Sequence, residues 1–283
     1  MDFDIIVNMR LPRVICVALL GGALSICGVA MQTLLKNPLA DGSTLGVSSG
    51  ASIGAVIAMI LGGSFIFPFA VIAAFLSLVL ILLLTRRLDP DFNTNTIILV
   101  GVVFSMFATS IISLIIALFP QDALTVAFWT FGSVVGVDYF KCAVLAFVLC
   151  ICFIIFMARS DELNIMSIGE DNASHLGVNV WATKIIILVC VAVLIGVSVA
   201  ISGTIAFVGL IVPHICRFIV GVNSKRLIPA SLFFGASFLM LADLASRTIA
   251  IPKELPIGVI TSVIGAIVFI IVFLDRGKSE LRC

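Results

Sequence analysis

Residues 185–220 read IIILVCVAVLIGVSVAISGTIAFVGLIVPHICRFIV, an apolar run whose weakest point is Ser202-Gly203-Thr204. Whether this run is one helix or two fixes the parity of the chain, and with it the side on which every flanking loop lies. A spanning helix needs about 20 mostly apolar residues. Division at Ser202-Gly203-Thr204 gives spans near 185–201 and 205–220. Working outward, seven more apolar runs lie near 13–35, 44–61, 65–85, 96–118, 140–157, 227–248 and 257–274. Ala123 to Val137 is apolar but too short to span, and reads as a re-entrant or interfacial segment. The expected fold is therefore all-α: a polytopic helical membrane protein of about nine transmembrane helices in this chain.

Charge placement supports the division. With the loops after the first, third, fifth and seventh spans and the C-terminus on the cytoplasmic side, that side holds Lys36, Arg86, Arg87, Arg159, Lys184, Arg217, Lys225, Arg226, Arg276, Lys278 and Arg282. The other side holds only Arg10, Arg13, Lys141, Arg247 and Lys253. This is a positive-inside bias, and fusing 185–220 would move Lys225 and Arg226 relative to the earlier loops. Composition agrees. The chain of 283 residues is 62% hydrophobic and 11% charged, with mean hydropathy +1.33, whereas soluble domains are about 45–50% apolar and 25% charged. A cytosolic domain, a secreted disulfide scaffold and a disordered tail are excluded. The first run is too long for a signal peptide and has no small-residue cleavage site. A net charge of +1 gives no reason to expect a nucleic-acid partner.

Few residues offer chemistry. Eight cysteines, mostly inside apolar runs, form no CxxC and have no histidine at ligand spacing, so they read as small apolar fillers and no metal site is expected. Gly50-Ala51-Ser52-Ile53-Gly54 matches GxSxG, but a serine hydrolase needs a strand-turn-helix and a histidine base there. Gly46, Gly50 and Gly54 fall four apart, which reads instead as a helix-packing stripe. His175 lies in a loop, and His214 beside Pro213 reads as a packed kink residue. Asp243, four residues before Arg247, suggests an internal pair. An ion-coupled secondary transporter usually carries several intramembrane acids, which are scarce here. No GxxxxGK[ST] occurs, so this chain has no phosphate-cradling loop for ATP.

The longest polar stretch, 159–183, is cytoplasmic by the charge count. Leu163, Met166, Ala173 and Leu176 fall in two short helical arcs, with Gly169 between them and Gly177 placed to end the second. It reads either as a solvated loop or as a pair of short helices whose small apolar faces dock a cytoplasmic partner.

Several strings together resemble the FecCD-type permeases, membrane subunits of ABC importers for iron-siderophores, haem and vitamin B12. They are Arg10-Leu11-Pro12-Arg13, Lys36-Asn37-Pro38-Leu39-Ala40-Asp41, Leu45-Gly46-Val47-Ser48-Ser49-Gly50-Ala51, the segment from Gly203 to His214, Leu241-Ala242-Asp243, and Glu254-Leu255-Pro256-Ile257-Gly258-Val259. The resemblance covers a single permease domain from 9 to 275 and implies a transport subunit without catalytic activity. It implies a dimer with a second copy or a paralogue, two cytoplasmic ATPase subunits that bind the ATP and Mg, and an extracytoplasmic binding protein or lipoprotein. No cofactor is expected on this chain. The implied location is the bacterial cytoplasmic membrane, amid its lipid, with a cytoplasmic C-terminus, and the implied cargo is a metal chelate, ferric siderophore foremost.

The resemblance also implies residue roles. Arg10, Arg13 and Arg247 would meet glutamates of the binding protein, which accounts for three of the five basic residues outside. Coupling helices over 161–177 would seat in the ATPase through Ser167, Ile168, Gly169, Glu170, Ala173, Leu176 and Gly177. Thr94 and Asn95, in Asn93-Thr94-Asn95-Thr96, would form a cytoplasmic gate, although the same segment also reads as a plain helix N-cap. Family members typically begin with one more helix, ten in all, and only nine residues precede Arg10 here. The alternatives to an importer permease are an ion-coupled transporter and an intramembrane serine protease acting through Ser52.

Overall fold

A computed structural model describes residues 5–280, apart from 43, 64 and 91. It contains twelve α-helices and no strand among the described residues. After a short π-helical turn, Ile6–Arg10, come α1 (Leu11–Leu34), α2 (Val47–Ile60), α3 (Ile66–Leu88), α4 (Thr94–Leu118), α5 (Ala123–Thr130) and α6 (Tyr139–Ala158). Next are α7 (Ser160–Ile168), α8 (Glu170–His175), α9 (Val180–Ser202), α10 (Val208–Val220), α11 (Ser224–Thr248) and α12 (Ile257–Glu280).

Each of the nine predicted runs is a helix. Six are long and apolar enough to cross a bilayer, while Val47–Ile60 and Val208–Val220 are shorter apolar helices; the last run is the 24-residue helix α12. The run 185–220 is divided where its sequence is weakest. Helix α9 stops at Ser202, Gly203 takes φ +68, and α10 begins after Phe207, which is itself left-handed at φ +68.

Unwound chain at this depth has to be satisfied by protein, because hydrocarbon offers no partner. The segment predicted as re-entrant supplies it. Ser133 N–H donates to the Ser202 carbonyl at 2.7 Å and Ile257 N–H donates to the Gly132 carbonyl at 3.0 Å. The Thr204 hydroxyl donates to the Thr130 carbonyl. Backbone meets backbone here, so a Cβ on Gly203 would collide with the Trp129 carbonyl and one on Gly258 with that of Phe131. A break in one long run and a short apolar segment 70 residues earlier are thus one structural feature.

The bundle centres on α1 and α9, the two most enclosed spans. Helix α1 lies against α11, α10, α9 and α6. Its approach is close because glycine faces glycine: an added Cβ on Gly21 would strike the Gly235 carbonyl, and one on Gly28 the Gly209 carbonyl. The glycines of the GxSxG region do not share one role. Gly50 and Gly54 abut Ser77 and Phe69 of α3, whereas Gly46, at φ +71, precedes α2 and faces Phe104 of α4. The Ser52 hydroxyl donates to the Ser48 carbonyl of its own helix at 2.9 Å. Cys16, Cys27, Cys142, Cys152, Cys190 and Cys216 are buried and unpaired, and Cys150 is exposed. Cys283 lies outside the described residues.

Candidate docking, gating and coupling sites

At one end of the bundle four charges interlock. Asp243, 1% exposed, accepts from Arg13 Nη2 at 2.9 Å through Oδ1 and from Arg247 Nη2 at 2.9 Å through Oδ2. Arg13 turns its other terminal nitrogen, Nη1, to Glu254 Oε2, also at 2.9 Å. Two arginines and two carboxylates thus tie the start of α1 to the end of α11 and to the loop before α12. A buried carboxylate is tolerable only when paired in this way. The expected Asp243–Arg247 pair is present, but Arg13, which the sequence treats as the twin of Arg10, is its second partner. Arg10 is exposed. Arg10, Arg13, Arg247 and Glu254 line an open depression of 750 Å³ between the π-helical turn, α11 and the 134–137 loop. The three arginines singled out in the sequence therefore share one surface, although only Arg10 stands clear of the ion network.

The opposite end carries α7 and α8. Their helical arcs are present, and three of the four residues that mark them turn inward. Leu163, Met166 and Ala173 are buried and anchor the pair to the bundle. Outward stand Ile168, 74% exposed, and Leu176, 68% exposed, with Ser167 and Gly177. Ala173, expected on the docking surface, is at 0% exposure and cannot touch a partner. Gly169, at φ 162 and ψ 143, is the extended joint between the helices.

Polar bonds fix the pair. Glu162 accepts from Arg159 at 2.7 Å and from the Thr183 hydroxyl of α9. Desolvation pushes the Glu162 carboxyl up, but the Arg159 and Thr183 hydrogen bonds outweigh it and hold its pKa below the ordinary range. Asp161 pairs with Lys225 at 2.8 Å, and Asn164 Oδ1 accepts the Ser224 N–H that opens α11. Glu170 also turns inward, to Lys184 of α9 at 2.7 Å.

The gate candidates lie beside this joint. Thr94 is half-buried and Asn95 exposed, on the first turn of α4. Asn93 holds the N-cap position but makes no side-chain cap bond. Asp89 braces the turn from outside the helix: its Oδ2 accepts from Asn93 N–H at 3.2 Å and from the Thr96 hydroxyl at 3.0 Å. The Thr94 hydroxyl points to Glu170 Oε1 at 3.4 Å. The gate candidate Thr94 and Glu170 of the coupling segment, 76 residues apart in the chain, are in contact in the fold.

Between the two ends lies a cavity of 310 Å³ lined by hydroxyls, among them Ser48, Ser52, Thr109, Ser113, Ser198 and Ser202. No histidine lines it, so Ser52 has no base there and the protease reading fails on geometry. The Ser52, Thr109, Ser113, Ser198 and Ser202 hydroxyls each donate back to the carbonyl four residues earlier. These hydroxyls leave no bare donor on the wall, which also carries the carboxylate of Asp41.

A broken-helix bundle with a charged mouth, a hydroxyl-lined interior and a helix pair projecting at the far end defines a membrane permease. The FecCD transport family model matches residues 1–275. The chain is 47% identical over 285 residues to an uncharacterized ABC transporter permease protein of Bacillus subtilis, covering 98% of this chain and 80% of that protein. It is 38% identical to an iron chelatin transport system permease protein of Helicobacter pylori, covering 96% and 83%. A solved metal-chelate type ABC transporter in an inward-facing conformation superposes with TM-score 0.91 at 29% identity, covering 97% of this chain and 88% of the other. This chain belongs to the FecCD family and is an ABC transporter permease.

Proposed function

We propose that the chain is the membrane subunit of an ATP-driven importer that carries a metal chelate, ferric siderophore foremost, inward across the bacterial cytoplasmic membrane. The observation that carries this reading is the α7–α8 pair, anchored by buried Leu163, Met166 and Ala173 while Ile168 and Leu176 stand exposed. Bare apolar side chains on a short, rigid projection are what a partner needs in order to grip and move the bundle. The partner is a cytoplasmic ATPase, two per transporter, which binds ATP and Mg; Ser167, Ile168, Leu176 and Gly177 form the contact. The C-terminus lies on the same, cytoplasmic side. Arg10 leads the capture of an extracytoplasmic binding protein, supported by Arg247 and Arg13 at the rim of the same depression. Thr94 and Asn95 form the cytoplasmic gate. A second copy or a paralogue completes the translocation path against α4.

The test is uptake by proteoliposomes holding the permease with its ATPase and binding protein. Ferric chelate uptake should need ATP inside, survive a proton uncoupler, and vanish when residues 165–177 are scrambled. Uptake that collapses with the uncoupler and ignores ATP would instead establish an ion-coupled carrier. Binding of ferric siderophores, haem and cobalamin to the cognate binding protein identifies the cargo, and haem or cobalamin binding alone would revise it.

A further inference from the structure

The coupling helix, α9 and the gate segment meet at one buried cation. Lys184 of α9 is 3% exposed. Its ammonium donates to Glu170 Oε2 at 2.7 Å and to the Phe92 carbonyl at 2.9 Å. The second oxygen of Glu170 accepts from the Thr94 hydroxyl. Glu170 is the first residue of α8, and Phe92 to Thr94 lead into the pathway helix α4. Three hydrogen bonds therefore join the ATPase-facing helix to the gate segment by two routes, one direct and one through Lys184.

The gate segment itself is under tension. Phe92 holds φ +54, a left-handed backbone that a bulky L residue seldom adopts, while the residue is buried at 7% exposure. Such a conformation persists only where the surroundings over-determine it. Here they are the core packed around the residue on one side and the Lys184 ammonium on the carbonyl. A strained segment gripped at its carbonyl has a relaxed backbone to move to once the grip shifts, which is the kind of two-state element that coupling between sites requires.

Resting on the importer reading above, we infer that Glu170 and Lys184 are positioning residues for transport. They transmit displacement of α8 to the Phe92–Asn95 segment, so that the gate follows the ATPase. Neither touches the cargo. An ammonium suits the role because it donates to a carboxylate and a carbonyl at once, while a buried lysine without both would be costly.

The experiment uses the full reconstituted transporter and reads cargo moved per ATP hydrolysed. Lys184→Met and Glu170→Gln should both still co-purify with the ATPase, and each should move about tenfold less cargo per ATP, the size of a typical coupling between sites. The exchange Glu170→Lys with Lys184→Glu keeps an ion pair but sets a carboxylate against the Phe92 carbonyl, so it should stay uncoupled. Wild-type cargo per ATP in Glu170→Gln or Lys184→Met overturns the inference, as does restored coupling in the exchanged pair, which would mark an ordinary structural bridge. Should Lys184→Met fail to assemble, Glu170→Gln, at a partly exposed position, decides alone. If the wild-type complex shows no ATP-dependent uptake, the importer reading falls and this inference with it; normal wild-type uptake with normally coupled variants removes the inference alone.

Discussion

Arg10 and Arg13 are spelled alike in Arg10-Leu11-Pro12-Arg13, and the fold separates them. Arg10 faces solvent, whereas Arg13 holds Asp243 and Glu254. Arg10→Glu should therefore weaken binding-protein capture in a pull-down and leave thermal unfolding in detergent unchanged. Arg13→Glu should do both kinds of damage, because it sets a third carboxylate against Asp243 and Glu254. Asp243→Ala strips Arg247 of its carboxylate partner and leaves the largely buried Arg13 with Glu254 alone, and is expected to cost about 3 kcal/mol, the lower end of the scale for breaking a buried pair. Unfolding followed by thermal aggregation would show it. The Asp243–Arg247 pair was legible because four residues on a helix bring side chains together. The third member was not, since Arg13 lies 230 positions from Asp243 and no local period spans that distance.

At the scale of elements, the α7–α8 pair shows why helical arcs in a short helix are ambiguous. Leu163, Met166, Ala173 and Leu176 fall at helical spacing, which suits a solvated loop or a docking face alike; the first three are the anchor and Leu176 stands exposed. In a membrane protein the bundle side of a surface helix is as apolar as any partner, so periodicity marks a buried face without saying what buries it. The exposed Ile168 and Leu176 carry the distinction, and only exposure reveals it. Met166→Ala should accordingly destabilise the permease by about 2–5 kcal/mol through a cavity while sparing ATPase affinity in whatever folds. Leu176→Asp should abolish ATPase co-purification and leave permease melting unmoved. The pair also has a pH limit. Glu162 has a pKa below the ordinary carboxylate range in the fold, so its contribution is complete above the unfolded value of about 4.3 and is lost as pH falls through the lower folded value. Protease cleavage within 159–178 should thus be flat from pH 7 to about 5 and should rise only below about 4. The break at Ser202-Gly203-Thr204 was legible from glycine and charge parity, but its purpose was not. That lies in the Thr130 carbonyl and the Ser133 N–H, which reach the break from a segment the sequence treats as unrelated.

At the scale of the whole molecule, α4 has a face that the single chain leaves open. Leu99, Val103, Met106 and Phe107 are exposed beside Thr109, Ser110 and Ser113, whose hydroxyls all back-bond within the helix. A helix bathed only in lipid gains nothing from three hydroxyls, and one buried in a core would not expose Met106 and Phe107. Both features are met if α4 lines a wet path whose other wall is a second permease, with Thr109 and Ser113 continuing the hydroxyl-lined cavity. Cysteine labelling separates the two environments. With Cys150, the exposed thiol among the described residues, and Cys283 both replaced by alanine, Ser113→Cys in the assembled transporter should react with a water-soluble maleimide at a rate that changes between nucleotide-free and ATP-bound states. Phe147→Cys on α6, exposed but far from any hydroxyl stripe in sequence, should stay unlabelled in both. Equal, state-independent labelling at the two positions would place α4 in lipid and move the translocation path elsewhere in the bundle.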